Sequence, residues 1–187
     1  MIIFDKTFFP EVKLFRFEGL SDSRGSKIRL YSAAEYLENN IDFIPKEEII
    51  YEIPEANTLF GIHFQNEPKP QQKMIRLISG SGIDYAIDLR KTSPTYKKWF
   101  SAELSSQNKK QILIPRGFGH LFYSTAPDTT MIFQIDCEFD KALSRSISYR
   151  DNEIALDISD KDFILAPKDE AAPFLKDSDC NLTTMHH

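Results

Sequence analysis

The sequence predicts an all-β fold, a sandwich or a barrel built from short strands. Short runs rich in Val, Ile, Phe and Tyr recur along the chain with turn residues between them. In residues 83–89 the apolar Ile, Tyr, Ile and Leu side chains share one face of a strand, while Asp84, Ala86 and Asp88 share the other. No internal repeat, low-complexity tract or linker interrupts the chain. We therefore expect one domain that spans residues 1–187.

The strands that these patterns predict are, in chain order, Val12–Glu18, Lys27–Tyr31, Glu48–Ile53, Thr58–Gln65, Lys73–Ser79, Gly82–Leu89, Trp99–Leu104, Gln111–Ile114, His120–Ser124 and Thr130–Glu138. One short helix is predicted over Ala33–Asn39, with Ser32 as its N-cap and Glu35 in the capping-box position. The Ser-Gly-Ser-Gly run at 79–82 predicts a hairpin turn, and residues 91–95 predict a polar loop. After residue 153 strand signals are few, so we expect that segment to pack across the barrel.

Composition narrows the class of protein. The chain has 187 residues, 41% of them hydrophobic and 27% charged, which is ordinary for a soluble globular protein. A net charge of -5 argues against a nucleic-acid binder or an acidic-membrane binder, because phosphate backbones require a basic surface. Cys137 and Cys180 form no disulfide framework, and the N-terminal residues lack the features of a signal peptide. We expect a cytoplasmic protein.

Histidines in a small barrel first suggest a metal site, but too few metal ligands are present. The run around His63 offers His63-x-Gln65 where metal-binding barrels of this kind carry a second histidine. Two histidines and an amide fall short of the three strong ligands expected for catalytic zinc or non-haem iron. A phosphate-binding glycine loop and a nucleophile elbow are also missing from the sequence. We therefore expect neither a metal nor another cofactor.

Acid–base chemistry fits the same residues better. His63 and His120 each stand in a strand-like run, and an imidazole titrates near neutral pH. Asp84 lies on the face opposite to its apolar neighbours, where a buried carboxylate could orient an imidazole. Lys73 could stabilise an oxyanion if it points into the same cavity, although a lysine at a strand end more often faces solvent.

These runs together resemble the dTDP-4-dehydrorhamnose 3,5-epimerase family of nucleotide-sugar epimerases. The resemblance is strongest between residues 61 and 119. Its motifs are His63-Phe64-Gln65, Gln71-Gln72-Lys73-Met74-Ile75-Arg76, Asp84-Tyr85-Ala86-Ile87-Asp88-Leu89-Arg90, Ser93-Pro94-Thr95, Glu103-Leu104-Ser105, Asn108-Lys109-Lys110-Gln111 and Ile114-Pro115-Arg116-Gly117-Phe118-Gly119-His120, with weaker matches at Ser23-Arg24-Gly25 and at residues 168–173.

The resemblance implies a cupin-like jelly-roll barrel with a short N-terminal helix and a C-terminal extension, usually a homodimer. It implies a nucleotide-diphosphate sugar as substrate, with no nucleic acid or membrane partner. His63 would be the base that removes a proton next to the 4-keto group, and Asp169 would orient it. Lys73 and His120, the latter paired with Asp84, would polarise the keto oxygen. Arg24 would contact the diphosphate, and Gln65 would also bind the substrate.

The chain departs from the family at informative positions. The tyrosine that acts as the family's acid falls on Phe133, which has no proton to give, and an arginine of the site falls on Phe60. Arg116 replaces a family acid and adds positive charge near His120. We count Phe60, Arg116 and Phe133 among the substrate-binding residues. Another acid, such as Tyr51, Tyr85 or water, would then be needed.

The sequence thus predicts a metal-independent isomerase that epimerises a nucleotide-linked 4-keto-6-deoxy sugar at C3, C5 or both through an enolate. By family analogy it would serve deoxysugar or cell-surface polysaccharide biosynthesis. Two alternatives stay open. One is a keto-sugar isomerase that uses the same enolate, and the other is a non-catalytic ligand-binding member of the family.

Overall fold

The computed structural model describes residues 1–158 and 162–183 of the chain. His186 and His187, to which the sequence analysis gives no role, lie outside these ranges. Within them the elements are β1 Ile2–Asp5, β2 Lys13–Phe17, β3 Gly19–Asp22, β4 Gly25–Ile28, α1 Ala33–Glu38, β5 Glu47–Ile53, β6 Thr58–Gln65, β7 Lys73–Ser79, β8 Ser81–Asp88, β9 Trp99–Ser105, β10 Gln111–Ile114, β11 Phe118–Ser124, β12 Thr129–Ile135, β13 Ser144–Ile147, β14 Ile164–Leu165 and α2 Pro167–Glu170, followed by a 3₁₀ turn at Leu175–Asp177.

Two sheets form the body of the molecule. The first sheet has the strand order β1-β2-β10-β7-β12-β5, and the second has β13-β6-β11-β8-β9, with β14 parallel to β6. One buried cluster includes Ile75 and Met131 from the first sheet together with Ala86 and Phe122 from the second. The sheets therefore face each other across a shared interior. This arrangement confirms the predicted all-β, cupin-like jelly roll.

The outer face of the second sheet is covered by the C-terminal segment, of which the structure describes residues 149–158 and 162–183. Tyr85 and Ile87 of β8 pack there against Leu175 and Leu182 of that segment. The intervening Ala86 packs in the interior between the sheets. Both the alternation in β8 and the packing of the C-terminal segment across the barrel are thus confirmed. The alternation also leaves Asp84 and Asp88, which are fully buried, on the inner face.

Helix α1 lies on the outer side of the first sheet. Its Tyr36 packs with Phe15, Phe17 and Met74 in a third buried cluster. Ser32 is the N-cap, as predicted, and its hydroxyl accepts a hydrogen bond from the Glu35 backbone N–H at 3.4 Å. The helix ends at Glu38, and Asn39 is the C-cap. No helix in the ranges that the structure describes is long and apolar enough to cross a membrane.

Two local predictions are wrong. The turn at Gly80 does not close a hairpin, because β7 belongs to the first sheet and β8 to the second. A glycine at φ +71° marks a sharp turn but does not determine whether the chain returns to the same sheet. The predicted strand Lys27–Tyr31 is also misplaced. Strand β4 begins at Gly25 and ends at Ile28, and within the described part of the chain it pairs only with β3, in an exposed hairpin.

A β-bulge in β6 decides which of its side chains enter the barrel. Strand β11 pairs His120 with His63 and Phe122 with Phe60, so two residues of β11 span three of β6. The extra residue lets Phe60 pack against the interior cluster although it is three positions from His63. Ile62 and Phe64 pack on the outer face. His63 between them therefore points inward.

Candidate active site

His63 is held by a carboxylate that arrives from the other end of the chain. Its Nε2 atom lies 2.6 Å from Asp169 Oδ1, as predicted for this pair. The histidine side chain is 24% exposed, whereas that of Asp169 is 1% exposed. Asp169 also accepts hydrogen bonds from the Gly61 backbone N–H at 3.3 Å and from the Ser146 hydroxyl at 3.4 Å. Three donors thus fix the carboxylate while one edge of the imidazole remains open to a ligand.

The missing side chain of Gly61 makes room for this carboxylate. A Cβ atom at that position would lie 3.1 Å from Asp169 Cγ and 3.2 Å from its Cβ. Those distances are shorter than ordinary carbon–carbon contacts. Gly61 therefore provides both a hydrogen-bond donor and the space that Asp169 needs.

The electrostatics of the first pair favour a neutral imidazole beside an ionised carboxylate. Burial lowers the pKa of His63, although Asp169 opposes that effect. Burial by itself would raise the pKa of Asp169, but hydrogen bonds from His63 and Gly61 outweigh it and hold the pKa below its usual value. A neutral imidazole oriented by a carboxylate is the form of histidine that accepts a proton.

A second histidine–carboxylate pair lies deeper in the barrel. His120 Nε2 is 2.9 Å from Asp84 Oδ2, again as predicted, and both residues are buried. Burial raises the pKa of Asp84, although His120 and Lys73 act in the opposite direction. Among the described residues, Asp84 Oδ1 has no hydrogen-bond partner.

Lys73 is buried rather than solvent-facing. Its side chain enters the barrel from the start of β7, and its Nζ donates a hydrogen bond to the His63 carbonyl oxygen at 2.9 Å. The residue is 4% exposed, and burial lowers the pKa of its ammonium group to about 8. At neutral pH a cation therefore lies next to His63, where it can stabilise a developing oxyanion.

Phe133 lies beside His120 and Lys73 between the two sheets. Its ring stacks on that of His120 with centroids 5.9 Å apart and 18° between the planes. Lys73 Nζ lies 5.7 Å from the centroid of the same ring. The structure thus brings His63, Lys73, His120 and Phe133 together. The Tyr51 ring lies next to this group, 6.3 Å from the Phe133 ring and 5.3 Å from the Phe60 ring.

Three residues predicted to bind substrate have other partners in this structure. Arg24 lies at the tip of the β3–β4 hairpin, where its 88% exposed side chain pairs with Asp22. Gln65 is buried and bonds the backbone of Lys69, Glu138 and Asp140. Arg116 pairs with the buried carboxylate of Asp136. Their roles in substrate binding remain predictions.

Ser146, Gly61 and Asp136 were not identified from the sequence. Ser146 reaches Asp169 only because β13 pairs with β6, a neighbourhood that no local pattern reveals. Gly61 lies within a predicted strand. A glycine inside a strand can indicate a β-bulge, and this was the only sequence feature that could have drawn attention to it. In the ranges that the structure describes, no group of three His, Cys, Asp or Glu side chains is arranged to hold a metal ion.

A jelly roll with two inward-facing histidine–carboxylate pairs and a buried lysine belongs to the class of cupin-like acid–base enzymes. Within that class, the chain belongs to the dTDP-4-dehydrorhamnose 3,5-epimerase family, whose sequence profile matches residues 6–177. The members of this family are isomerases.

Similar proteins agree with this membership. A dTDP-4-dehydrorhamnose 3,5-epimerase of Sinorhizobium fredii is 31% identical over 173 residues, which cover 92% of this chain and 89% of the relative. The crystal structure of the Bacillus anthracis enzyme with TDP and PPi bound has a TM-score of 0.90 at 30% identity, covering 94% of this chain and all of that one. A Legionella pneumophila dTDP-6-deoxy-D-glucose-3,5-epimerase in complex with dTDP-4-keto-L-rhamnose has a TM-score of 0.87 at 27% identity, covering 94% of each chain.

Proposed function

We propose that this protein epimerises a nucleotide-diphosphate-linked 4-keto-6-deoxy sugar at C3, C5 or both, in deoxysugar biosynthesis for cell-surface polysaccharide. The observation that carries the proposal is the His63–Asp169 pair, at 2.6 Å, beside the buried Lys73 ammonium. A ketone acidifies the hydrogens on its neighbouring carbons. A neutral base and an adjacent cation are the two groups that such a proton abstraction needs.

In the proposed reaction His63 accepts the proton from carbon, and the electron pair of the broken C–H bond forms the enolate. Negative charge develops on the 4-keto oxygen, where Lys73 stabilises it. The His120–Asp84 pair assists by polarising that oxygen. Asp169 keeps the proton-accepting nitrogen of His63 in position and stabilises the imidazolium that forms. Return of a proton to the opposite face of the carbon inverts its configuration.

The burial of charge supports an enzyme over a non-catalytic binding protein. Lys73 is 4% exposed, and Asp84 is fully buried with one oxygen unpartnered among the described residues. Burying such groups costs stability unless they are paired or used. A scaffold without chemistry has no need of them. The keto-sugar isomerase alternative shares the enolate, so product analysis in the following experiment separates it from an epimerase.

The test is incubation with dTDP-4-keto-6-deoxyglucose in deuterium oxide, followed by NMR of C3 and C5. We expect deuterium at an inverted carbon. His63→Ala should abolish exchange, because no other group is proposed as the base. A matched control, dTDP-glucose, has no keto group and should exchange nothing. Exchange by His63→Ala at the parent rate would refute the assignment of the base.

We propose a homodimer as the working unit. Ile50 and Ile78, on the first sheet, are 59% and 48% exposed, and among the described strands β5 is an edge strand with one side unpaired. Exposed apolar side chains next to an open strand edge suit pairing with a second copy. Light scattering should give the mass of a dimer, and Ile50→Lys should give a monomer. Leu37→Lys, at an exposed site on α1, should leave the dimer intact.

We also infer a cytoplasmic location. Cys137 and Cys180 are both free thiols. Unpaired cysteines are the usual state in a reducing compartment. Fractionation of the native host, with antibody against this chain, should recover it with cytoplasmic enzymes.

A further inference from the structure

The proposed epimerisation needs a proton donor on the side of the sugar opposite to His63. Phe133 cannot supply one. Lys73 stands on the first sheet, but its Nζ reaches across to the His63 carbonyl oxygen, and His120 is the cross-strand partner of His63, so both groups lie beside the base. Apart from water, a donor that inverts the carbon must therefore be a side chain elsewhere on the wall of the barrel.

A tyrosine hydroxyl is the acid used in the family that the chain belongs to, and only one tyrosine is placed between the sheets. All seven tyrosines of the chain lie in the described ranges. Tyr31 and Tyr36 line a groove beside α1, outside the first sheet. On the outer face of the second sheet lie Tyr85, Tyr96, Tyr123 and Tyr149. Tyr85 in addition donates a hydrogen bond to Asp157 at 3.0 Å, which removes it as a candidate acid. Only Tyr51 remains.

Tyr51 points into the barrel from the first sheet. Its neighbours Ile50 and Glu52 are exposed, while Ile53, two residues on, is buried in the interior cluster. The ring lies 5.3 Å from that of Phe60, on the second sheet, and 6.3 Å from that of Phe133, on the first. Tyr51 therefore spans the space between the sheets next to the ring that stacks on His120.

We propose that Tyr51 is the general acid that protonates the enolate carbon on the face opposite to His63. The inference rests on the proposed function. His63 stands on β6 of the second sheet and Tyr51 on β5 of the first, so the two groups approach a sugar between the sheets from opposite walls. Such an arrangement gives inversion rather than return of the proton to the same face.

The proton balance closes without a co-reactant. His63 takes the hydrogen of the C–H bond and becomes an imidazolium, and the electron pair becomes the enolate. When the carbonyl re-forms, the carbon takes the hydroxyl proton of Tyr51, which becomes a phenolate. Water then removes the proton from His63 and returns one to Tyr51. The 38% exposure of Tyr51 gives water that access.

The protonation state of Tyr51 agrees with this role. Burial of the ring raises the pKa of the Tyr51 hydroxyl above its usual value near 10. The group therefore holds its proton at neutral pH and is available as an acid. A phenolate with a raised pKa also recovers its proton readily from water after each turnover.

The experiment compares Tyr51→Phe with the parent protein on dTDP-4-keto-6-deoxyglucose in deuterium oxide, following exchange and inversion separately by NMR. We expect Tyr51→Phe to keep exchange with retained configuration, while inversion falls about 10²–10⁴-fold. Tyr31→Phe is the matched control, since it removes a hydroxyl from a tyrosine of similar exposure, 48%, outside the barrel. It should invert as the parent does.

The outcomes separate this inference from the proposed function. Continued exchange by Tyr51→Phe shows that the variant is folded and that its base works. Inversion at the parent rate would overturn Tyr51 as the acid and leave the epimerase proposal standing. Loss of exchange together with inversion would also overturn it, because an acid on the opposite face is not needed to remove the proton. A parent protein that neither exchanges nor inverts would end both proposals.

Discussion

The two histidines differ in what their surroundings allow them to do. Asp169 receives three hydrogen bonds and is fully engaged, and the His63 ring that it holds is 24% exposed. His120 is 5% exposed, and its partner Asp84 keeps one oxygen without a partner in the described part of the chain. The partly exposed His63 ring can contact a substrate, which suits proton transfer. The buried His120 ring, which stacks on Phe133, suits a fixed electrostatic role.

Removing the charge of Asp169 tests the first of these roles. Asp169→Asn keeps the shape of the side chain but loses the carboxylate that stabilises the His63 imidazolium. We expect the deuterium-exchange rate to fall about 10²–10⁴-fold. Ser146→Ala is the control, because it removes only the 3.4 Å hydrogen bond to the same carboxylate and should cost less than about tenfold. Equal rates in the parent and Asp169→Asn would contradict the role of the pair.

The pH dependence of the reaction follows from two groups whose pKa values are lowered by burial, His63 and Lys73. His63 acts as a base only when neutral, and burial lowers its pKa, so kcat/KM should rise through a limb below pH 6.5. Lys73 supports the oxyanion only when protonated. Its pKa of about 8 places the falling limb near pH 8. A profile of kcat/KM from pH 5 to 10 checks both limbs, and a plateau that continues to pH 10 would remove Lys73 from the mechanism.

At the residue scale, motif similarity predicted the contacts of the proposed catalytic histidines better than the surroundings of the proposed substrate-binding residues. The pairs His63–Asp169 and His120–Asp84 were predicted from the sequence and are present. Arg24 was matched by a short motif, yet it lies on an exposed hairpin paired with Asp22. The geometry of a buried pair is set by strand positions. The place of an exposed arginine depends on loops and partners that a motif does not encode.

At the scale of elements, the bulge in β6 links the fold to the site. It brings Phe60 and His63 onto the inner face, three residues apart, while Leu59 and Ile62 both pack outside. Gly61 lies within this irregular stretch. Its N–H donates a hydrogen bond to Asp169, and the absence of a side chain leaves room for that carboxylate. A regular strand would not present Phe60 and His63 together on one face, since its side chains alternate.

Gly61→Ala tests this dependence. The added Cβ would lie 3.1 Å from Asp169 Cγ, so the carboxylate must move by a few tenths of an ångström and stretch its 2.6 Å bond to His63. We expect exchange to slow about tenfold or more, since each 1.4 kcal/mol corresponds to a factor of ten. Stability by chemical denaturation should change by only about 1 kcal/mol. A variant as active as the parent would show that Asp169 adapts freely.

Strands with strong patterns were predicted well and edge elements were not. Strands β6, β7 and β10 have the predicted bounds, because each is rich in apolar residues and lies inside a sheet. Strand β3 is exposed along its whole length and carries no apolar period. The two-residue β14 exists only through its pairing with β6. Such elements are fixed by long-range contacts, which a local pattern cannot contain.

At the scale of the whole molecule, the C-terminal segment has two roles. It covers the outer face of the second sheet, and it provides Asp169 to the site. Its apolar side chains, Leu175 and Leu182 among them, seal the outer face of the second sheet. The Asp151 carboxylate accepts the Leu175 backbone N–H at 2.6 Å, and the Ser148 N–H bonds the Pro173 carbonyl oxygen at 2.8 Å. Between these anchors and β14, helix α2 delivers Asp169 to His63. Stability and catalysis thus share one segment.

Leu175→Ala should therefore weaken the whole fold. Leu175 is 5% exposed, and truncating a buried leucine to alanine costs about 2–5 kcal/mol through lost burial and the cavity that remains. Urea unfolding should show a lower midpoint with an unchanged slope. Leu37→Ala, at an 81% exposed site on α1, makes the same chemical change and should stay within about 0.5 kcal/mol of the parent. If the two variants unfold alike, the segment contributes little to stability, and the delivery of Asp169 must depend on its local hydrogen bonds alone.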